Sequence, residues 1–226
     1  MAPILMFFHY LAQNIIKLQF KIGDELGDAK IEAAFELNAY AVTNQEYELF
    51  DEAHKRERDF DKTVAGDDDL SRHPVLNVDW FSAWCFCQWL GVEYRLPNEK
   101  EWEFACRAGT DSKYNVGPVL TSKDANFGGQ LGHTTSVGSY DPNKFELHDM
   151  HGNVWEWCAN WYWNIFEESV QSTYRPGAGY SARVLRGGSW TDYPLYCRSA
   201  FRDNYLPTDR DDFVGFRVAR AWSRKS

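Results

Sequence analysis

Arg186-Gly-Gly-Ser-Trp190 and Val214-Gly-Phe-Arg-Val218 bracket a segment, Thr191 to Phe213, that is crowded with Tyr, Phe, Asp, Asn, Thr and Leu. The bracketing runs carry turn glycines and bulky core residues, whereas the middle carries rings and short polar side chains. Aromatic side chains give large contact area at low entropic cost, and short polar ones give adaptable hydrogen bonds. The pattern describes a rigid frame that displays an interchangeable surface.

Outward from that tail, the chain has 226 residues and is 44% hydrophobic, long enough to bury a substantial core. No Pro-rich, Gly/Ser-rich or low-complexity tract divides it, so a single domain over 1–226 is expected. Aromatic residues make up 16%, with ten Trp, which predicts rings packed among loops and short strands. A net charge of −9 without a basic stripe argues against nucleic acid and anionic membranes as partners. No apolar run approaches the ~20 residues of a membrane span. The apolar start, Pro3 to Ala12, lacks a preceding basic residue and a small-residue cleavage site, so it reads as a buried terminal segment and not as a secretory signal. A cytoplasmic location is thereby favoured over the cell surface.

Thr43-Asn-Gln-Glu46 has the form of a capping box and predicts a first helix from the mid-40s to the upper 50s. Asp67-Asp-Asp69, in the charged run after it, reads as a solvated loop. Asp79 is placed to cap a second helix whose buried stripe would be Trp80, Ala83, Trp84, Cys87 and Leu90. Asn98 to Glu101 caps a third, burying Trp102, Ala105 and Cys106 before Gly109 stops it. Beyond Asn115, Gly, Pro, Asn and Asp recur too often for a helix, so loops and short strands follow and the fold class is α+β. The five cysteines Cys85, Cys87, Cys106, Cys158 and Cys197 lack zinc-site spacing and read as free thiols in a reducing compartment.

Six ordered blocks carry a resemblance. They are Ala41 to Asn44, His73 to Trp80, Tyr94 to Gly109, Asp149-Met-His-Gly-Asn-Val-Trp-Glu-Trp157, Arg186 to Trp190 and Gly215 to Val218. Together the chain resembles the formylglycine-generating enzyme/sulfatase-modifying superfamily from about residue 20 onward, which implies a C-type-lectin-like fold. Enzymes of that family use two tail cysteines to hold copper. Counted from Trp190, the first position falls on Asp192 and the second on Cys197, so the thiolate pair that a soft cuprous ion needs is incomplete. No catalytic residue and no required cofactor are therefore expected.

The tail also resembles the variable proteins of diversity-generating retroelements, which use the same fold and end in a Gly-Gly-Ser-Trp to Gly-Phe-Arg segment. There a reverse transcriptase system rewrites asparagine codons at their adenines. The resemblance implies a variable ligand-binding set of Thr191, Asp192, Tyr193, Leu195, Tyr196, Phe201, Asp203, Asn204, Tyr205, Leu206, Thr208, Asp211, Asp212 and Phe213, with Asp209 beside them unassigned. An Asn codon altered only at its adenines never yields Lys, Glu, Gln, Met or Trp. None of these types stands at those positions although they form about a fifth of the chain, an absence expected by chance roughly one time in twenty.

The resemblance further implies a calcium site of Asp149 and Glu156 carboxylates with the carbonyls of Gly152 and Val154. Simple packing of the same turn is the alternative, and His148 and His151 read as structural. Three functions stay open: a diversified binder of macromolecular, mainly protein, ligands; a copper-dependent oxidase; and an inactive accessory domain. Asp192 separates the first from the second.

Overall fold

The computed structural model describes residues 34–55, 70–162 and 182–221, together with the backbone of three short strands before them. The apolar start and the Asp67-Asp-Asp69 run lie outside the described residues.

Two four-stranded sheets carry the molecule. The first has the order β1 (Ile15–Leu18), β4 (Phe35–Asn38), β10 (Ala219–Ala221), β5 (Tyr94–Arg95), all antiparallel, so early and late strands pair through Ala219 opposite Leu37. The second has the order β8 (Asp203–Tyr205), β7 (Arg183–Arg186), β6 (Trp155–Trp161), β9 (Val214–Phe216), with β6 and β9 parallel. A two-residue hairpin, β2 (Glu25–Leu26) with β3 (Ala29–Lys30), stands apart. This mixture of helices and short strands is the α+β class read from the sequence.

The helices follow their caps, with two corrections. Helix α1 spans only Asn44–Tyr47, although the Thr43 and Glu46 capping box forms. Tyr47, its last residue, stacks on Phe86 at 5.6 Å, and the Asp51 side chain accepts from Ala53 N–H, a local turn that competes with helix. Helix α2 spans Trp80–Leu90 with Asp79 accepting from Ser82 N–H at 2.7 Å. Its buried stripe includes Phe86, whereas Trp84 lies on the shoulder of that stripe and is 42% exposed. Helix α3, Glu99–Arg107, keeps the expected cap and buries Trp102, Ala105 and Cys106, ending at Ala108 and Gly109 with positive φ.

Between the sheets lies a buried ion pair. Arg217 is 0% exposed and donates from Nε and Nη2 to Glu156 of β6, at 3.1 and 2.9 Å. Its Nη1 donates to the carbonyls of Asn38 and Ala39 and its Nη2 to that of His148. Glu156 also accepts from Trp102 Nε1 at 2.7 Å, so one carboxylate joins α3, β6 and the tail. A charge taken out of water is tolerated only when so fully partnered.

Breaking this pair leaves an uncompensated buried charge. Arg217→Met and Glu156→Leu should each lower unfolding free energy by about 3–5 kcal/mol, and the double variant by clearly less than the two losses combined. Urea unfolding of the three variants measures this; strict additivity would contradict the pairing.

Candidate functional site

The tail enters the surface through a turn whose shape only glycine permits. Gly188 has φ +74°, and a Cβ there would lie 2.6 Å from Cys197 Sγ. Ser189 is fully buried, and Trp190 N–H donates to the carbonyl of Asn153, itself at φ 62° in the buried turn before β6. Gly128 N–H donates to Asp192 O and Gly129 N–H to Trp190 O, so a second loop clamps the start of the segment. Its end is tied to α2: Trp80 N–H donates to Pro207 O, Asn77 N–H donates to Asp211 O, and Arg210 pairs with Asp79 at 2.9 Å.

Between these anchors, none of the fourteen expected variable positions is buried. Thr191, Tyr193, Leu195, Tyr196, Leu206, Thr208 and Asp212 are exposed, Tyr193 at 73%; the other seven are half-buried. The flanks behave oppositely, with Arg186, Gly187, Gly188 and Ser189 buried before the segment and Val214 through Ala219 after it. Trp190, expected as a core anchor, is itself only half-buried.

The half-buried positions carry structural duties that the sequence did not reveal. Asp192 accepts from Ser189 N–H at 3.0 Å and from its hydroxyl at 2.5 Å, closing the Gly-Gly-Ser turn. Asp209 accepts from Leu206 N–H, which makes it a turn residue. Phe201, Tyr205 and Phe213 lean on the main core cluster, Phe201 lying 6.1 Å from Trp155. The candidate surface is therefore graded, with a solvent-facing ring at Tyr193, an edge-packed ring at Tyr196 against Phe201, and core-supported rings at Phe201, Tyr205 and Phe213.

Below it lies a cluster of thiols and one imidazole. His151 Nδ1–H donates to Cys197 O at 2.7 Å, and Asn115 N–H donates to its Nε2 at 3.0 Å, which fixes one neutral tautomer. Burial is the main cause that depresses its pKa to about 4. Burial also pushes the Cys197 and Cys106 thiols up to about 12, so both are protonated at neutral pH. With the Asp192 carboxylate committed to Ser189, this donor set does not fit a cuprous ion, which asks for thiolates. His151 itself was read only as structural; its role as the support of the Cys197 backbone was not visible, nor was that of Gly128-Gly129.

Most of the expected calcium donors are committed to protein partners, although Asp149 Oδ1 is buried without one. Glu156 is saturated by Arg217 and Trp102, and the Gly152 carbonyl accepts from Val154 N–H at 2.9 Å. Asp149 Oδ2 accepts from Gly138 N–H at 2.7 Å, and burial raises its pKa. Calcium asks for six to eight oxygens, and a guanidinium inside the ring of donors opposes it. Among the described residues no group of three or more His, Cys, Asp or Glu side chains gathers for a metal. His148 is likewise occupied, with Nδ1 against Tyr140 O and its ring stacked on Tyr40 at 4.8 Å.

Residues 19–222 match the sulfatase-modifying factor enzyme 1-like domain. The chain belongs to that family. It is 35% identical to the mouse formylglycine-generating enzyme over 169 residues, covering 66% of this chain and 44% of that one. The chain spans less than half the length of that enzyme, and 24% of a Chlamydia pneumoniae serine/threonine-protein kinase that it also matches. Treponema denticola variable protein 1 shares the fold with a TM-score of 0.68 and 25% identity, covering 92% of this chain and 94% of that one. PvdO from Pseudomonas aeruginosa matches equally, at 0.68 and 26%, covering 92% and 90%. The architecture is thus the C-type-lectin-like one of this family. Among the described residues no helix is long and apolar enough to cross a membrane.

The neutral His151 gives a pH signature. A histidine whose folded pKa lies below its unfolded value near 6.5 contributes stability at high pH that is lost as pH falls through the window from about 6.5 to about 4. Melting temperature should fall across that window, and His151→Gln should flatten the slope; an unchanged slope in the variant would place the proton elsewhere.

Proposed function

We propose that this chain is a non-catalytic ligand-binding protein whose surface from Thr191 to Phe213 is varied by a reverse transcriptase system acting on its gene, to recognise changing protein targets. The observation that carries the reading is the burial boundary: the fourteen positions that the resemblance assigns as variable are all unburied, and Arg186 to Ser189 before them and Val214 to Ala219 after them are buried. A segment can accept many replacements only where it contributes little to the core. The full-length likeness to a variable protein supports the same reading.

Its second reading, a copper-dependent oxidase, is favoured by the identity to formylglycine-generating enzymes. Against it stand Asp192 in the first cysteine position, hydrogen-bonded to Ser189, and the buried protonated Cys197. Two tests separate them. The DNA beside the gene should contain a near-copy of the tail's coding segment and a reverse transcriptase gene. Purified protein incubated with copper and a cysteine-bearing sulfatase-motif peptide should leave the peptide unchanged; turnover that disappears in Cys197→Ser would establish the oxidase instead.

We further propose that the turn from Asp149 to Glu156 is held by Arg217 and not by an ion, and that no cofactor is required. A ligand that binds only the folded state raises its melting temperature by mass action. Thermal unfolding should be the same with a calcium chelator as with millimolar calcium, whereas a clear upward shift with calcium would restore the metal to the turn.

A further inference from the structure

The chemistry of the exposed surface selects a class of partner, on the reading of the tail as a binding surface. Tyr193, Leu195 and Leu206 are exposed at 73%, 56% and 46%, so large apolar side chains face solvent on both loops of the segment. The rings of the segment are linked to one another at the margin of the core. Tyr196 packs edge-on against Phe201 at 5.1 Å, Phe201 reaches Trp155, and Trp155 N–H donates to Phe213 O beside Tyr205.

The charges on this face are one-sided. The segment holds five aspartates, three arginines and no lysine. All three arginines are turned to the protein's own groups: Arg202 to Glu99 at 2.5 Å, Arg210 to Asp79 at 2.9 Å, and Arg198 to Leu195 O with its guanidinium over the Phe201 ring. Asp203, Asp209 and Asp211 accept only from neighbouring N–H groups and the Tyr205 hydroxyl. Among the described residues no arginine or lysine hydrogen-bonds to these three carboxylates. The Tyr205 hydroxyl feels this field: its pKa is raised by burial and then by Asp211, Asp203 and Asp209.

We propose that the face formed by Tyr193, Leu195, Tyr196, Asp203, Tyr205 and Asp211 docks a protein segment bearing lysine or arginine, whose aliphatic stem lies on the rings while its charge meets the aspartates. Aromatic faces and carboxylates together suit such side chains, since both attract a cation. Acidic partners meet uncompensated like charge and are rejected.

The probe is a random-peptide phage library sorted on the purified protein. The retained peptides should be enriched in Lys and Arg over the input, and retention should be lost in about 1 M salt, where charges are screened beyond about 3 Å. The combined variant Asp203→Asn, Asp211→Asn keeps one acceptor oxygen at each position and should lose the basic preference several-fold with the melting temperature little changed. Neutral or acidic peptides, retention indifferent to salt and to the Asn variant, or no retained peptides at all would overturn the proposal. Retained neutral peptides that are lost with Tyr193→Ser and Tyr196→Ser would leave the binding-surface reading standing; basic peptides indifferent to those two changes would remove both.

Discussion

The buried pair of Arg217 and Glu156 is the constraint on which the rest of the structure depends. It draws α3 through Trp102, β4 through the carbonyls of Asn38 and Ala39, and the tail strands onto β6. The low-dielectric interior makes each of these contacts strong when complete and costly when broken. The same pair occupies the oxygens that would otherwise face an ion. One interaction thus ties the sheets together and fixes the turn from Asp149 to Glu156 against them.

On this locked frame, the tail can be lax. Gly188 and Asp192 close its entrance, Pro207 and Arg210 pin its exit to α2, and the backbone of Cys197 rests on His151. Backbone anchors do not specify side chains. Tyr193 and Tyr196 contribute their carbonyl and N–H groups to the turn at Cys197 whatever ring they carry. Replacing those rings leaves the backbone contacts available, which is what the proposed variable surface requires.

Much of this was legible in the sequence because it rests on local rules. Asp79 and Asn98 cap the helices as their spacing foretold, and the glycine turn after Arg186 needs positive φ that few other residues accept. What was not legible is long-range. Glu156 reads as a calcium ligand, and nothing local reveals that Arg217, 61 residues on, is placed against it. Asp192 reads as a display residue, yet its carboxylate also accepts from Ser189, and Trp84 reads as core although it lies across α2 from the buried Phe86 and is 42% exposed. No spacing in the sequence announces that the loop at Gly128 clamps Trp190 and Asp192.

The central claim is a boundary between a frame that must be kept and a surface that need not be. Single-site saturation of residues 186–218 in a display format, scored by resistance to protease as a measure of folding, tests it directly. The account predicts broad tolerance at Thr191, Tyr193, Leu195, Tyr196, Leu206, Thr208 and Asp212, narrow tolerance for acceptors at Asp192, and near-complete intolerance at Gly188, Phe216 and Arg217, because exposed replacements typically change stability by within about 0.5 kcal/mol and large-to-small core ones by about 2–5 kcal/mol. Equal intolerance at Tyr193, Leu195 and Tyr196 would contradict it.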